Sequence, residues 1–431
     1  MRIKNKLGRL KSNIEFKNFS WLVSGKVIQM IISLIVGLLV ARYLGPSNFG
    51  LINYSLSYTS FFMPLCTLGM TSILVKNFTD KPNEVGTTIG SALITRIFSA
   101  FLSFLIIFLI VSIIDKNEPL TIWITFLVGT SLVFQTFDTF NYWFQYQYKA
   151  KVVAIVSLIA YIILVVYRVV LLICKCEVGW FAFSYTLDYC AIALCLYIAY
   201  KRNDGPILNF SFKKAKELFI SSYHFILSGL MVAVYGYTDK LMLKHMLNEK
   251  EVGYYSVATA VCAIWVFVLN AVIDALYPTI MRLYNEDRAS YRKKNIQLYA
   301  IVFYVSTFVS LIITICASFA IGLMYGKDYL PAAVPLQIIT WYTAFSYLGV
   351  ARNAWIVCEH KQKYLKYMYA CAAVINILLN LIFIPLWGTK GAALASLITQ
   401  VFTSIIIPYI IPDTRENAKM MISAICLKGI K

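Results

Sequence analysis

Twelve stretches of this chain are each long and apolar enough to cross a hydrocarbon layer as a helix, which takes roughly twenty apolar residues. They run over residues 19–44, 51–76, 88–114, 121–147, 150–174, 179–200, 217–247, 252–281, 295–325, 333–358, 364–386 and 390–411. The connections between them span only a few to about fifteen residues, which leaves no room for a large soluble domain. With 60% hydrophobic and 14% charged residues, the chain exceeds the apolar fraction of a soluble domain, which is nearer half. The expected class is therefore an all-α, polytopic membrane protein with twelve transmembrane helices.

The basic residues test that count independently, because cytoplasmic loops of membrane proteins collect Lys and Arg. With the N-terminus placed in the cytoplasm, 27 basic residues fall on the inner side and 8 on the outer side, with Lys26, Arg96, Arg168 and Arg352 inside blocks. A missed or invented span would scramble that alternation. Both termini are thus expected in the cytoplasm. The expected organisation is a basic amphipathic segment (1–18), an N-terminal lobe (19–200), an inter-lobe linker (201–216), a C-terminal lobe (217–411) and a cytoplasmic tail (412–431).

The second half echoes the first. Tyr43-Leu44-Gly45-Pro46-Ser47-Asn48-Phe49-Gly50 closes one block and opens the next, and Met246-Leu247-Asn248-Glu249-Lys250-Glu251-Val252-Gly253 does the same 203 residues later. Val178-Gly179-Trp180-Phe181-Ala182-Phe183-Ser184 opens the last block of the first half, and Lys390-Gly391-Ala392-Ala393-Leu394-Ala395-Ser396 opens that of the second, 212 residues on. Repeated helical halves are how many transporters build a site at the seam of their repeats.

The net charge of +19 follows from this topology and does not point to nucleic acid. Ile3, Leu7, Leu10 and Ile14 lie at helical spacing between basic residues, which suits a helix on an anionic leaflet. Most of the ten cysteines fall within apolar blocks at unrelated spacings and read as packing residues. No phosphate-cradling glycine loop, HExxH or paired-cysteine zinc spacing occurs, and the three histidines are scattered. The chain does not read as an enzyme, and no metal or cofactor is expected.

What remains is polar chemistry inside the blocks. Ser131, Gln135, Asp138, Tyr142, Gln145 and Lys149 share one side of the fourth block at helical spacing. A carboxylate in hydrocarbon costs a few kcal/mol at least, so Asp138 borders either a hydrated cavity or a polar seam between helices. Lys26, Gln29, Ser33 and Gly37 repeat the pattern in the first block, where Lys26 also reads as a snorkelling residue. The second block offers Asn53, and the eleventh Asn376 and Asn380. Arg96 and Arg168 read as helix-end or snorkelling residues. Asp274 sits between Asn270 and Pro278, where a bent helix opens a polar pocket. Arg352 lies inside the tenth block, placed to meet a phosphate or pair with an acid.

Val40-Ala41-Arg42-Tyr43-Leu44-Gly45-Pro46 followed by Phe49-Gly50 resembles the first-loop signature of the bacterial O-antigen and polysaccharide repeat-unit flippases, within the multidrug/oligosaccharidyl-lipid/polysaccharide exporter superfamily. Asp239-Lys240-Leu241 with Val252-Gly253-Tyr254-Tyr255 resembles their seventh-span motif, and Gly388 with Gly391-Ala392-Ala393 the start of their final span. Ser222-Tyr223-His224 departs from the Gly/Pro-type break expected early in the seventh span.

The resemblance implies two six-helix lobes around a central cavity in the bacterial inner membrane. It implies translocation of an undecaprenyl-diphosphate-linked oligosaccharide from the inner to the outer leaflet by alternating access. Membrane lipids, a glycan polymerase and chain-length machinery are the implied partners. The expected substrate-cavity residues are Lys26, Gln29, Arg42, Asn53, Gln135, Asp138, Gln145, Asp239, Lys240, Asp274 and Arg352. Asp138, Asp274 and His224 are the candidates for coupling to H+ or Na+, since buried carboxylates hold protons more tightly. A multidrug antiporter of the same superfamily, a peptidoglycan-precursor flippase and a membrane glycan polymerase are the rival readings.

Overall fold

The computed structural model describes residues 14–429, and within them the side chains of all but residues 14–28, 31 and 72. Every regular element among the described residues is a helix. The first half holds α1 (Ile14–Thr67), α2 (Thr71–Asp80), α3 (Val85–Ile114), α4 (Pro119–Gly129), α5 (Ser131–Gln135), α6 (Thr139–Tyr146), α7 (Ala150–Ile173) and α8 (Val178–Arg202). The second holds α9 (Phe212–Met246), α10 (Glu249–Glu286), α11 (Arg288–Tyr325), α12 (Ala333–Cys358), α13 (Leu365–Trp387), α14 (Thr389–Val401), α15 (Ile407–Ile410) and α16 (Arg415–Ile425).

Ten spans among the described residues are long and apolar enough to cross a membrane, which makes this a multi-pass membrane protein. The twelve-block reading is consistent with them. The first block and most of the second lie in the single element α1, which breaks at Gly45, where φ is 71°, a conformation that costs glycine little, and the second block ends in α2. Helix α12 has 26 residues, long enough to cross at 1.5 Å per residue, but carries Gln337, Thr340, Thr343, Ser346 and Arg352. It is not one of the ten.

Two spans are irregular. A 3-10 turn at Thr136–Asp138 separates α5 from α6, and a π-helical turn at Phe402–Ile406 separates α14 from α15. Both interruptions leave backbone carbonyls for other donors, which a regular helix does not.

The chain divides into two compact units. The first comprises the described residues up to Leu44 together with Ser55–Leu230. Its core includes Leu74, Phe78, Ile89, Phe140, Phe144 and Leu196. The segment after α8 is tied to α2 and α3, for Ser211 N donates to Ser91 Oγ at 3.0 Å. The buried Lys214 also donates to Asn77 at 3.0 Å and to Glu84 at 3.1 Å.

The second unit comprises Gly45–Tyr54 and everything from Met231. Its core includes Ile280, Leu298, Tyr299, Leu348, Trp355 and Met421. Helix α16 contributes to that core, with Asn417 donating to Tyr299 Oη at 2.7 Å and Tyr304 Oη donating to the Ile425 carbonyl at 2.6 Å.

The two echoing junctions meet inside this second unit. A Cβ on Gly50 would overlap the carbonyl oxygen of Glu249, and one on Gly253 would overlap that of Pro46. By the 203-residue offset, Gly50 corresponds to Gly253 and Pro46 to Glu249, so each glycine receives the residue equivalent to its own neighbour. Small residues permit such backbone approach between membrane helices. Tyr329 packs edge-on against both Phe49 and Tyr254, at 6.3 Å and 6.4 Å between ring centroids.

Candidate functional site

Asp239 anchors a polar layer of the second unit. Its side chain is 4% exposed, and both carboxylate oxygens are engaged. Oδ1 accepts from Asn380 Nδ2 at 2.6 Å. Oδ2 accepts from Tyr255 Oη at 2.6 Å and from Ser396 Oγ. Four helices are thereby joined at one charge: α9, α10, α13 and α14. A charge-assisted bond is roughly twice as strong as a neutral one.

Local sequence explains why these groups converge. Asn248 caps α10, its side chain accepting from Glu251 N at 3.1 Å, which turns the chain back after α9 and brings Tyr255 alongside Asp239. Gly388, at φ 58°, ends α13, and a Cβ on Gly391 would overlap the Phe383 carbonyl oxygen. With Ala392 and Ala393 fully buried, the small residues let α14 fold back tightly along α13. Ser396 then lies level with Asn380, whose Nδ2 also reaches Asn376 Oδ1 at 3.1 Å.

This layer forms one wall of a cavity of about 520 Å³ lined by Asp239, Lys240, Asn53, Asn376, Ser396, Gln400 and five tyrosines, namely Tyr235, Tyr237, Tyr255, Tyr342 and Tyr347. Gln400 donates to Tyr342 Oη at 3.3 Å and Asn270 to Tyr347 Oη at 3.3 Å. Among the described residues, buried Ser256 Oγ and Asn380 Oδ1 have no partner, and Ser256 also lines the cavity. Such groups ordinarily find one. Phenol rings and amides at a cavity wall suit a polyhydroxylated ligand, which offers apolar faces and hydroxyls together.

Of the residues expected in a substrate cavity, the structure brings Asn53, Asp239 and Lys240 to this one. Asn53 also donates to the Phe49 carbonyl at 2.9 Å. Arg352 is 1% exposed, outside the lining, with Nη1 on the Thr403 carbonyl at 3.1 Å, inside the π-helical turn. Arg42, Gln145, Asp274 and His224 have exposed side chains, and Gln29 is half-buried. The side chain of Lys26 lies outside the described residues.

Gln135 and Asp138 belong to the first unit. Asp138 accepts from Tyr142 Oη at 3.2 Å and from Asn141. Arg96, 1% exposed, donates to Thr139 at 2.6 Å. The stripe on the fourth block passes from buried Ser131 to exposed Gln145. Elsewhere in this unit Arg168 Nε donates to Ser184 Oγ at 3.0 Å, with its guanidinium 4.7 Å from the Tyr185 ring centroid. Among the described residues, Asp188 Oδ1 and Gln135 Oε1 are buried without a partner.

No residue spacing singles out Tyr235, Tyr342 and Tyr347, since tyrosines at membrane interfaces give the same sequence signal. Asn380 and Ser396 were visible as a polar pair and as part of an echo, but not as partners of Asp239.

The fold is that of membrane transporters. It is similar to a lipid II flippase, MurJ, in an inward closed conformation, with a TM-score of 0.72 at 14% identity over 94% of this chain and 91% of that one. It is similar to an inward-facing multidrug resistance MATE family transporter of the MOP superfamily, with a TM-score of 0.70 at 13% identity over 92% of this chain and 96% of the other. Residues 16–284 match the Polysaccharide biosynthesis protein family, and the chain belongs to it. The capsular polysaccharide biosynthesis protein CapF of Staphylococcus aureus is 20% identical over 402 residues, covering 89% of this chain and 96% of its own. A probable low-salt glycan biosynthesis flippase of Haloferax volcanii, Agl15, is 24% identical over 194 residues, covering 43% of this chain and 40% of its own.

Proposed function

We propose that this protein is a flippase that moves a polyprenyl-diphosphate-linked oligosaccharide repeat unit from the inner to the outer leaflet of the cytoplasmic membrane, with both termini in the cytoplasm. The observation that carries the reading is the cavity of the second unit. A polar chamber of about 520 Å³ walled by tyrosines and amides inside an apolar bundle has no use to a lipid-facing helix, and it fits a sugar headgroup that cannot enter hydrocarbon. The family membership and the capsular and glycan relatives favour a glycan building block as cargo, of O-antigen or capsule type, handed on to a polymerase.

Transport proceeds by alternating access in this reading. Coupling to H+ or Na+ falls on Asp239, the carboxylate of the cavity wall, instead of the exposed Asp274 and His224. The test is deletion of the gene and complementation in a host with no redundant flippase, following lipid-linked repeat units by leaflet. Their accumulation on the cytoplasmic leaflet is the expected result. Undiminished glycan export would defeat the assignment.

A further inference from the structure

The two repeats surround their matching glycines differently. By the 212-residue offset, Gly179 at the start of α8 corresponds to Gly391. A Cβ on Gly391 would overlap a backbone carbonyl oxygen, whereas one on Gly179 would first meet side chains of α4, with Trp123 Nε1 at 3.5 Å and Leu127 Cδ1 at 3.9 Å. The space that a neighbouring backbone fills in the second unit stands open in the first. It forms a pocket of about 280 Å³ lined by Trp123, Leu127, Glu177, Gly179, Trp180 and Phe183, all of them residues of the first unit.

Glu177 is the one charged residue of this lining. It stands at the N-cap of α8, yet its side chain makes no capping hydrogen bond, and among the described residues it has no ion pair. Trp123 and Trp180 are both exposed. Phe126 stacks on Trp123 at 5.7 Å between centroids and 7° between planes, which holds that indole in place. The turn that carries Glu177 is pinned, for Tyr43 Oη donates to the Cys176 carbonyl at 3.0 Å. Lys175 lies in the same turn, also without an ion pair among the described residues.

Indole faces attract a cation, and a carboxylate beside them accepts its hydrogen bonds. An uncompensated carboxylate between two indoles therefore favours an ammonium group over a neutral sugar. With both termini in the cytoplasm, this end of the first unit lies at the outer surface, where tryptophans sit at headgroup level. We propose that the pocket binds the headgroup of a zwitterionic phospholipid of the outer leaflet, its ammonium held by Glu177, Trp123 and Trp180 and its phosphate by Lys175. The headgroup carries its two charges a few bonds apart, as the turn carries Lys175 and Glu177 two residues apart. Seated there, the lipid ties α4 to α8. Because the pocket exists only in the folded unit, the lipid stabilises that unit in proportion to its occupancy. The site is independent of the cargo and of the second unit's cavity.

The experiment uses the full chain in phosphatidylglycerol nanodiscs into which phosphatidylethanolamine is titrated, with unfolding temperature as one readout. Native mass spectrometry of the protein in detergent, supplied with either lipid, is the second. The wild type is expected to unfold at a higher temperature as phosphatidylethanolamine is added, and to retain it about tenfold more tightly than phosphatidylglycerol. Glu177→Gln removes the charge. Gly179→Leu fills the pocket without meeting a backbone atom at its Cβ. Both are expected to be folded in phosphatidylglycerol and to lose the response to phosphatidylethanolamine. Trp180→Leu, at an exposed position, is expected to weaken the preference about threefold, and Lys175→Gln to weaken both lipids alike. A wild-type response to phosphatidylethanolamine in Glu177→Gln or in Gly179→Leu overturns the proposal. So does stabilisation of the wild type by maltose that Gly179→Leu abolishes, which would make the pocket a sugar site. None of these outcomes touches the flippase reading, which is tested by glycan export.

Discussion

The two repeats place different chemistry at equivalent positions. By the 212-residue offset, Arg168 and Ser184 of the first unit correspond to Asn380 and Ser396 of the second. In the first, the guanidinium of Arg168 rests on Ser184. In the second, Asn380 and Ser396 both turn to the carboxylate of Asp239. The first unit thus carries a covalently attached cation where the second holds an anion ringed by neutral donors. A permanent cation cannot dissociate, so the first arrangement suits a fixed brace and the second suits exchange with a mobile ion.

The comparison breaks most readily at its anion. Asp239→Ala strands three buried donors, so it is expected to cost about 3 kcal/mol of stability and to reduce glycan export to background, measured by thermal unfolding and by complementation. A stable, exporting variant would make Asp239 a mere packing group. Asn380→Arg installs the first unit's cation in the second. It is expected to leave a folded protein whose export falls about tenfold or more, because the guanidinium satisfies Asp239 permanently. Normal export in that variant would refute the distinction between the units.

A smaller pair of effects tests whether the repeats are equivalent at their junctions. Gly50→Ala and Gly253→Ala each force a methyl group onto a backbone carbonyl and are expected to cost about 1–3 kcal/mol, by similar amounts; unequal losses in unfolding temperature would show that only one junction is closely packed. Arg168→Asn removes one charged hydrogen bond and a ring contact, for about 1–2 kcal/mol, with export retained. The smallest effect lies outside the spans. The Lys361 ammonium, followed by the Tyr364 hydroxyl, holds the Asp413 carboxyl below its ordinary range. A lowered value in the folded state adds stability above the unfolded value near pH 4, and that stability fades as the pH falls through the folded value. Because the pair is exposed, Asp413→Asn should only slightly flatten the acid limb of unfolding temperature against pH.

The spans were legible because hydrocarbon thickness imposes a length on every apolar block. The first-loop and final-span glycines were legible as motifs, and the structure supplies their reason: Gly50, Gly253 and Gly391 each abut a backbone carbonyl. The site was legible only in pieces. Asn53, Asp239 and Lys240 reach the cavity, whereas Asp274, on a helix face with the same apparent polarity, is exposed. A single sequence gives the faces of a helix but not its rotation about its axis, and that rotation separates the two carboxylates. Arg352 shows a second limit, since its partner is a carbonyl that accepts within a π-helical turn, and no residue code announces that.

The way the chain is shared between units carries a consequence for its assembly. Ten residues of the first repeat, Gly45–Tyr54, complete the second unit, while the first part of α9, through Leu230, completes the first. A polypeptide cut between residues 203 and 211 would therefore yield two fragments, each lacking a piece that the other holds. Such mutual exchange of arms joins the fragments without a covalent bond, so co-expressed halves should reassemble while either half alone should be degraded.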